Sequence, residues 1–235
     1  LTSIIGLQGA YQRLDTLGQA ILLPAQTTTA AGYFFEEMRH TDTLRTQFAA
    51  RVEAVDVAGT AFGFPSNYLP PPNEPASSPS RSDFLPTSLS VGVIKDLPSY
   101  LQASVTLQRI QRAPRALELF ASGPDDSEKT FKIGNPDLTL ETANTAEIGL
   151  KRTRGDVRFD ANLYYTRYDK FIFGAATGNF CGATFATCAA GGSGDYIQVA
   201  YSQRDAIFRG GELSWQWDVS ALSGGIFGIE GQFDM

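Results

Sequence analysis

The chain has 235 residues, of which 43% are hydrophobic and 19% charged, and its formal net charge is -6 at pH 7. This composition excludes an intrinsically disordered chain, and the lack of an apolar run of about 18 residues predicts no transmembrane helix. The acidic balance argues against nucleic-acid binding, which needs a basic face toward phosphates. Membrane-spanning strands stay open, because strands that alternate in polarity contain no long apolar run.

Strand periodicity dominates the chain. After the turn at Gly155 and Asp156, the apolar residues Val157, Phe159 and Leu163 alternate with polar residues. Period two is typical of a strand with one face toward hydrocarbon and the other toward water. The same pattern predicts about nine strands, near residues 3–13, 27–39, 44–53, 86–97, 101–108, 146–151, 157–173, 196–219 and 226–235.

The connections between these strands alternate in length. Long connections are predicted at residues 14–26, 57–83, 112–140 and 174–194, and short turns separate the other strand pairs. Prolines in the first long connection exclude a central strand there, since proline cannot donate to a sheet ladder. Antiparallel strands with every second connection long place all long loops on one side, as in outer-membrane barrels. Periodicity alone leaves a soluble β-sandwich open, in the form of a ligand- or carbohydrate-binding module.

The two cysteines, Cys181 and Cys188, lie in the long connection at 174–194, with six residues between them. This spacing is poor for a zinc site, and there is no second pair or nearby histidine. It favours a local disulfide within one loop, formed in an oxidising compartment.

Three stretches resemble TonB-dependent receptors of the bacterial outer membrane. The first is IGNPDLTLETANTAEIGLK, residues 133–151. Its matching residues are Gly134, Asn135, Pro136, Leu138, Glu141, Thr142, Glu147, Gly149 and Leu150. The run at residues 112–124 is similar through Arg112, Pro114, Glu118 and Leu119, and the run at 208–217 through Gly211 and Glu212.

The resemblance implies an all-β fold, an antiparallel up-and-down meander forming a partial transmembrane β-barrel of about nine strands. Residues 1–235 are expected to be part of the barrel domain, without the plug domain and the terminal strands. The implied function is a receptor and transporter of the bacterial outer membrane for an iron-siderophore or another metal chelate. The implied partners are outer-membrane lipid, the small ligand and TonB, which is contacted through an N-terminal region outside this chain.

The motif residues are interpreted as structural, fixing loop entry and strand register. Glu147 is expected to point into the lumen, where Arg or Lys of a neighbouring strand or of the plug is its possible partner. We predict no enzyme and no cofactor. The only histidine, His40, lies in a predicted turn, and no Ser-His-Asp arrangement can be assigned around it.

The acidic residues Asp125, Asp126 and Glu128 lie in a loop that the resemblance places outside the cell. Carboxylates can bind a hard cation, but a solvated loop tip is the simpler interpretation. In zinc-uptake receptors of the same family, a histidine commonly follows the Gly-Pro pair, whereas here Asp125 follows Gly123 and Pro124. That departure argues against zinc and leaves siderophores and other small chelates open.

Overall fold

The computed structural model describes residues 1–16, 21–63, 76–182, 188–190 and 194–235. The fold is all-β, as predicted, and the nine predicted strands are all present. They are β1 (Thr2–Leu14), β2 (Ala25–Thr41), β3 (Leu44–Gly63), β5 (Thr87–Leu97), β6 (Leu101–Arg112), β9 (Glu141–Arg152), β10 (Val157–Cys181), β12 (Tyr196–Leu222) and β13 (Gly225–Asp234). Four short strands and one helix lie in the long connections: β4 (Ala76–Phe84), α1 (Ala116–Phe120), β7 (Ser122–Asp125), β8 (Thr130–Ile133) and β11 (Ala189–Ala190).

The nine strands form a single antiparallel meander in which each strand pairs with the next along the chain. Short turns connect the strands at one end of the sheet, here called the short-turn end. These turns are residues 42–43, 98–100, 153–156 and 223–224. The long connections lie at the opposite, long-loop end. The turn after β9 has four residues, not the expected two, and Gly155 holds a positive φ of 96° there. All described strands belong to one sheet, so a soluble sandwich of two packed sheets is not what the chain forms.

The meander has one polar and one apolar face. On the polar face, Arg51 donates to Gln8 at 3.1 Å and Lys151 pairs with Asp160 at 2.9 Å. On the apolar face, large hydrophobic side chains are exposed, including Leu163 at 61%. Exposed hydrocarbon in a contiguous band, with ion pairs on the reverse, is the arrangement of a sheet that separates lipid from a wet interior.

The predicted loop at residues 57–83 is wrong over much of its length. Strand β3 continues to Gly63, and β4 pairs antiparallel with it, with Pro79 opposite Thr60. Proline is tolerated because β4 pairs with β3 alone among the described strands, so one edge of β4 needs no ladder donor. Residues 64–75, the most proline-rich part of the prediction, lie outside the described residues.

One pairing is parallel, which the expectation of a purely antiparallel sheet did not allow. Strand β8 runs parallel to β12, with Ile197 opposite Thr130 and Ala200 opposite Ile133. The pair lies in the long connections, beyond the part of β12 that pairs with β13. The meander itself is therefore intact, and the parallel pair belongs to the structure that folds over its long-loop end.

No helix in the described ranges is both long and apolar enough to cross a membrane.

The rim module as candidate functional site

The long connection between β6 and β9 is folded rather than extended. We call residues 113–140, which hold α1, β7 and β8, the rim module. It leaves β6 at Arg112, packs α1 against β3, pairs β8 with β12 and returns to β9 at Glu141. Most of the sequence motif therefore falls within this single module or at its two ends.

A three-residue ion network closes the base of the module. Arg112 forms a two-pronged bond to Glu141, at 2.8 Å from Nε and 3.1 Å from Nη2, and its Nη1 lies 2.8 Å from Glu118 Oε2. Glu118 also accepts from the backbone N–H of Arg115 at 2.7 Å, at the start of α1. Glu141 accepts a further bond from the N–H of Ile172 at 2.7 Å. Each carboxylate thus accepts more than one hydrogen bond, and together they tie β6, α1, β9 and β10 to one guanidinium.

Gly134 and Asn135 fix the return of the module. A Cβ on Gly134 would lie 2.4 Å from the backbone nitrogen of Phe120, so only glycine fits against the end of α1. The N–H of Asn135 donates to the carbonyl of Glu118, and its side-chain amide donates to the carbonyl of Tyr201 at 3.3 Å. Its Oδ1 accepts from the N–H of Asp137 at 3.0 Å, which shapes the turn around Pro136.

The module has a hydrophobic underside. Leu119 and Phe120 are each 1% exposed, and they pack with Leu138, Val57 and Ile172 in the largest buried cluster among the described residues. Pro114 is also fully buried. The motif residues Leu119 and Leu138 therefore belong to a core that β2, β3 and β10 complete with Ala25, Val55, Val57 and Ile172.

The acidic tip is neutralised from within. The Nζ of Lys132 lies 2.8 Å from Asp125 and 2.8 Å from Glu128, and Asp126 bonds the hydroxyl of Tyr196 and pairs with Lys129 at 3.6 Å. Hydrogen bonds from Lys132 and then Ser127 hold the pKa of Asp125 below its usual range. Burial alone would lower the pKa of Lys132, but the bonds to Asp125 and Glu128 outweigh it and raise that pKa. A lysine thus occupies the place where a cation would sit.

Cys181 and Cys188 are joined in a disulfide at the end of β10. Both are buried, and they pack with Phe131 and Ile133 of β8. The bond therefore lies against the rim module and not in a free loop. Sequence spacing indicated the pairing, but nothing in it indicated this contact with β8.

A pocket of about 490 Å³ opens beside α1 on the polar face of β2 and β3. Its wall includes Glu53, Leu22, Pro114 and Leu117. Arg115 also lines it, is exposed, and forms no ion pair within the part of the chain that the structure describes. Sequence reasoning missed this residue, since a single arginine at the start of a five-residue helix carries no signal.

The remaining motif positions lie in the meander. Glu147 is on the polar face, opposite Thr106 and Tyr164, and has no ion-pair partner among the described residues. Gly149 is on the same face, where a Cβ would lie 2.6 Å from the hydroxyl of Ser104. Gly211 and Glu212 pair with β10 and lie close to the end of β13. The structure therefore separates the motif into a module part and a strand part.

The meander has an apolar outer face and a polar inner face, and its folded loops all lie at the long-loop end. This arrangement defines the wall of a membrane β-barrel. A family model described as "TonB dependent receptor-like, beta-barrel" matches residues 6–232. The chain belongs to this family. No curated protein sequence matches the chain at a significant level.

Solved structures of the same kind share the fold. The hemophore receptor HasR of Serratia marcescens has a TM-score of 0.64 and 17% identity, over 92% of this chain and 36% of that chain. The copper transporter OprC has a TM-score of 0.58 and 17% identity, over 83% of this chain and 26% of that chain. The siderophore receptor PirA from Pseudomonas aeruginosa has a TM-score of 0.52 and 13% identity, over 99% of this chain and 46% of that chain. The chain therefore spans between a quarter and a half of these proteins.

Proposed function

We propose that the chain forms part of the barrel wall of an outer-membrane receptor that binds a scarce nutrient outside the cell and imports it. The proposed ligand is an iron-siderophore or another metal chelate, and TonB is the proposed energy-coupling partner. The observation that carries the proposal is the asymmetry of the sheet. The short-turn end has only tight turns, whereas the long-loop end carries the rim module, whose shape is fixed by an ion network and a buried core.

A rigid module is what a binding rim requires, because preorganised loops lose little conformational entropy when a ligand binds. The pocket beside α1 is the part of the rim we assign to the ligand. Its cation Arg115, which has no ion-pair partner among the described residues, suits an anionic chelate, and Leu22 and Leu117 supply apolar surface for the ligand's organic frame. The acidic tip is assigned a structural role, since Lys132 already satisfies Asp125 and Glu128.

The solved structures of similar fold have different ligands. The similar structures are a hemophore receptor, a copper transporter and siderophore receptors, so resemblance of fold does not select among their ligands. The residues of the pocket select a ligand by its net charge and not by the metal it contains. They favour a net-negative complex over a free cation.

The test is ligand binding to the natural full-length chain in detergent. Ferric catecholate, ferric hydroxamate, heme and Cu²⁺ are titrated separately by isothermal calorimetry. We expect saturable binding of one anionic chelate, weakened about tenfold in Arg115→Gln, which corresponds to one charge-assisted bond. The matched control is Arg154→Gln, which removes the same charge at the short-turn end and leaves affinity unchanged. Binding of free Cu²⁺ alone, or equal losses in both variants, contradicts the proposal.

A further inference from the structure

The apolar face carries an unusual row of arginines at its long-loop end. Arg109 on β6 lies in register with Asn144 on β9 and Arg167 on β10, and Arg209 on β12 lies opposite Tyr165. All three arginines are exposed. On β6, β9 and β10 the arginine or asparagine follows Leu107, Ala146 and Tyr165 on the outer face. On β12, Arg209 lies one step lower, and Ile207 lies opposite Arg167.

The arginine row, Arg109, Arg167 and Arg209, is only partly neutralised. Arg109 donates to Asn144 at 3.3 Å, and Arg167 lies 3.5 Å from Asp169, which also accepts from Asn144 at 3.2 Å. Arg209 has no side-chain partner among the described residues. Of the three cations, only Arg167 contacts a carboxylate, and the row keeps a net positive charge on a surface that otherwise faces hydrocarbon.

An apolar groove lies directly below the row. It is open, has a volume of about 580 Å³ and reaches up to Arg109 and Arg167. The residues that give it its hydrocarbon surface are Phe48, Leu89, Val91, Leu107, Ala146 and Tyr165. The small side chain of Ala146, between the larger Leu107 and Tyr165, leaves the centre of the groove open to a chain from outside.

We propose that this surface binds a lipid whose headgroup carries phosphate, with the phosphate on the arginine row and one acyl chain in the groove. Guanidinium groups match phosphate oxygens in a two-pronged geometry, and an apolar groove next to the charge distinguishes a lipid from a free anion. The position of the arginine row along the strands also fits a lipid headgroup. The row lies at the boundary between the apolar band and the loops, which is where headgroups lie. The proposal requires that the sheet spans a membrane, but it is independent of the transported ligand.

The test uses the natural full-length chain in nanodiscs of phosphatidylcholine, with dioleoyl phosphatidic acid added and bound lipid counted by native mass spectrometry. Replacing both cations in R109Q/R167Q is expected to weaken binding about 30-fold, at the value of one surface cation each. The matched control, R152Q/R154Q, removes two cations at the short-turn end and leaves binding unchanged. Equal losses in both double variants overturn the assignment.

Two further variants separate lipid from free anion and groove from charge. Ala146→Trp fills the groove and is expected to weaken phosphatidic acid binding about tenfold, whereas Ala161→Trp, on the same face outside the groove, has no effect. Asp169→Asn removes the competing carboxylate and is expected to strengthen binding about fivefold. Inorganic phosphate that displaces the lipid at millimolar concentration, or A146W with full binding, overturns the lipid assignment.

Discussion

The meander and the rim module are stabilised by different means, although one chain builds both. In the meander, backbone ladders join the strands, and large apolar side chains such as Leu163 and Ile148 stay exposed on the outer face. In the rim module, buried side chains and ion pairs hold irregular backbone in place, with Phe120 and Phe131 each 1% exposed. The comparison teaches that the apolar outer face of the strands is covered by no other described part of the chain, whereas the module shares a buried core with β2, β3 and β10. Substitutions should therefore act very differently in the two regions.

The largest effect is expected from Glu141→Ala in the rim module. The side chain of Glu141 is 8% exposed, and its loss leaves Arg112 without its two-pronged partner and the N–H of Ile172 without an acceptor. Breaking a buried pair from one side costs about 3 to 5 kcal/mol. The free energy of unfolding in urea, measured on protein inserted in lipid vesicles, should fall by that amount.

The control for this prediction is Lys151→Ala in the meander. Lys151 is 49% exposed and pairs with Asp160 at 2.9 Å, so its removal is expected to cost about 0 to 1 kcal/mol. Similar losses in the two variants would show that the difference between the regions has been drawn wrongly.

Gly134→Ala should follow in size. The new methyl group would lie within 2.5 Å of the backbone at Phe120 and Ala121, which cannot move without displacing α1. We expect a loss of about 3 kcal/mol by overpacking, together with faster proteolysis of the module. Gly149→Ala is the counterpart in the meander, where the new group meets the side chains of Ser104 and Asn162. Because those side chains can rotate away, the second substitution should cost about 1 kcal/mol or less. An equal or larger loss for Gly149→Ala would go against the distinction.

Removing the disulfide in C181A/C188A is expected to cost about 2 kcal/mol, the value of closing a short loop in the chain-entropy model. The loss should be concentrated where the sulfurs pack, at Phe131 and Ile133. Hydrogen exchange followed by mass spectrometry should show faster exchange in β8 and unchanged exchange in β5 and β6. Reduction of the wild-type protein should reproduce the variant, and uniform changes across the sheet would be inconsistent with this assignment.

The smallest effect concerns pH at the tip of the module. The pKa of Asp125 is lowered in the folded state, so its contribution is present above its unfolded pKa of about 4 and is lost as pH falls below it. The pKa of Lys132 is raised, so its contribution is present below its unfolded pKa of about 10 and is lost as pH rises above it. The tip should therefore be most stable between about pH 4 and pH 10.

This prediction is checked with Asp125→Asn, which removes the loss of stability at low pH and leaves the loss at high pH. The midpoint of thermal unfolding should be higher in wild type than in the variant at pH 7, and the gap should narrow steadily as pH falls below about 4, toward the lowered pKa of Asp125 in the folded state. A gap that stays the same size from pH 7 down to about pH 2 would mean that the charge on Asp125 is not what stabilises the tip.

Much of the molecule could be predicted from the order of its residues. Strand identity, the alternation of long and short connections, and the family all followed from period two and from the motif at residues 133–151. These features are local, because each strand face is defined by residues two apart and each turn by its own short sequence. The motif residues were expected to fix loop entry, and the structure brings Arg112, Glu118 and Glu141 together at that place.

Only the tertiary structure decided how distant segments meet. The parallel pairing of β8 with β12 and the pairing of β4, which contains Pro79, with β3 join residues far apart in the sequence. Periodicity carries no information about such partners. The arginine row shows the same limit, since Arg109, Arg167 and Arg209 share one surface only because strand register aligns them. Sequence alone therefore determined the wall of this protein, while register and loop packing determined the surfaces on which it can bind other molecules.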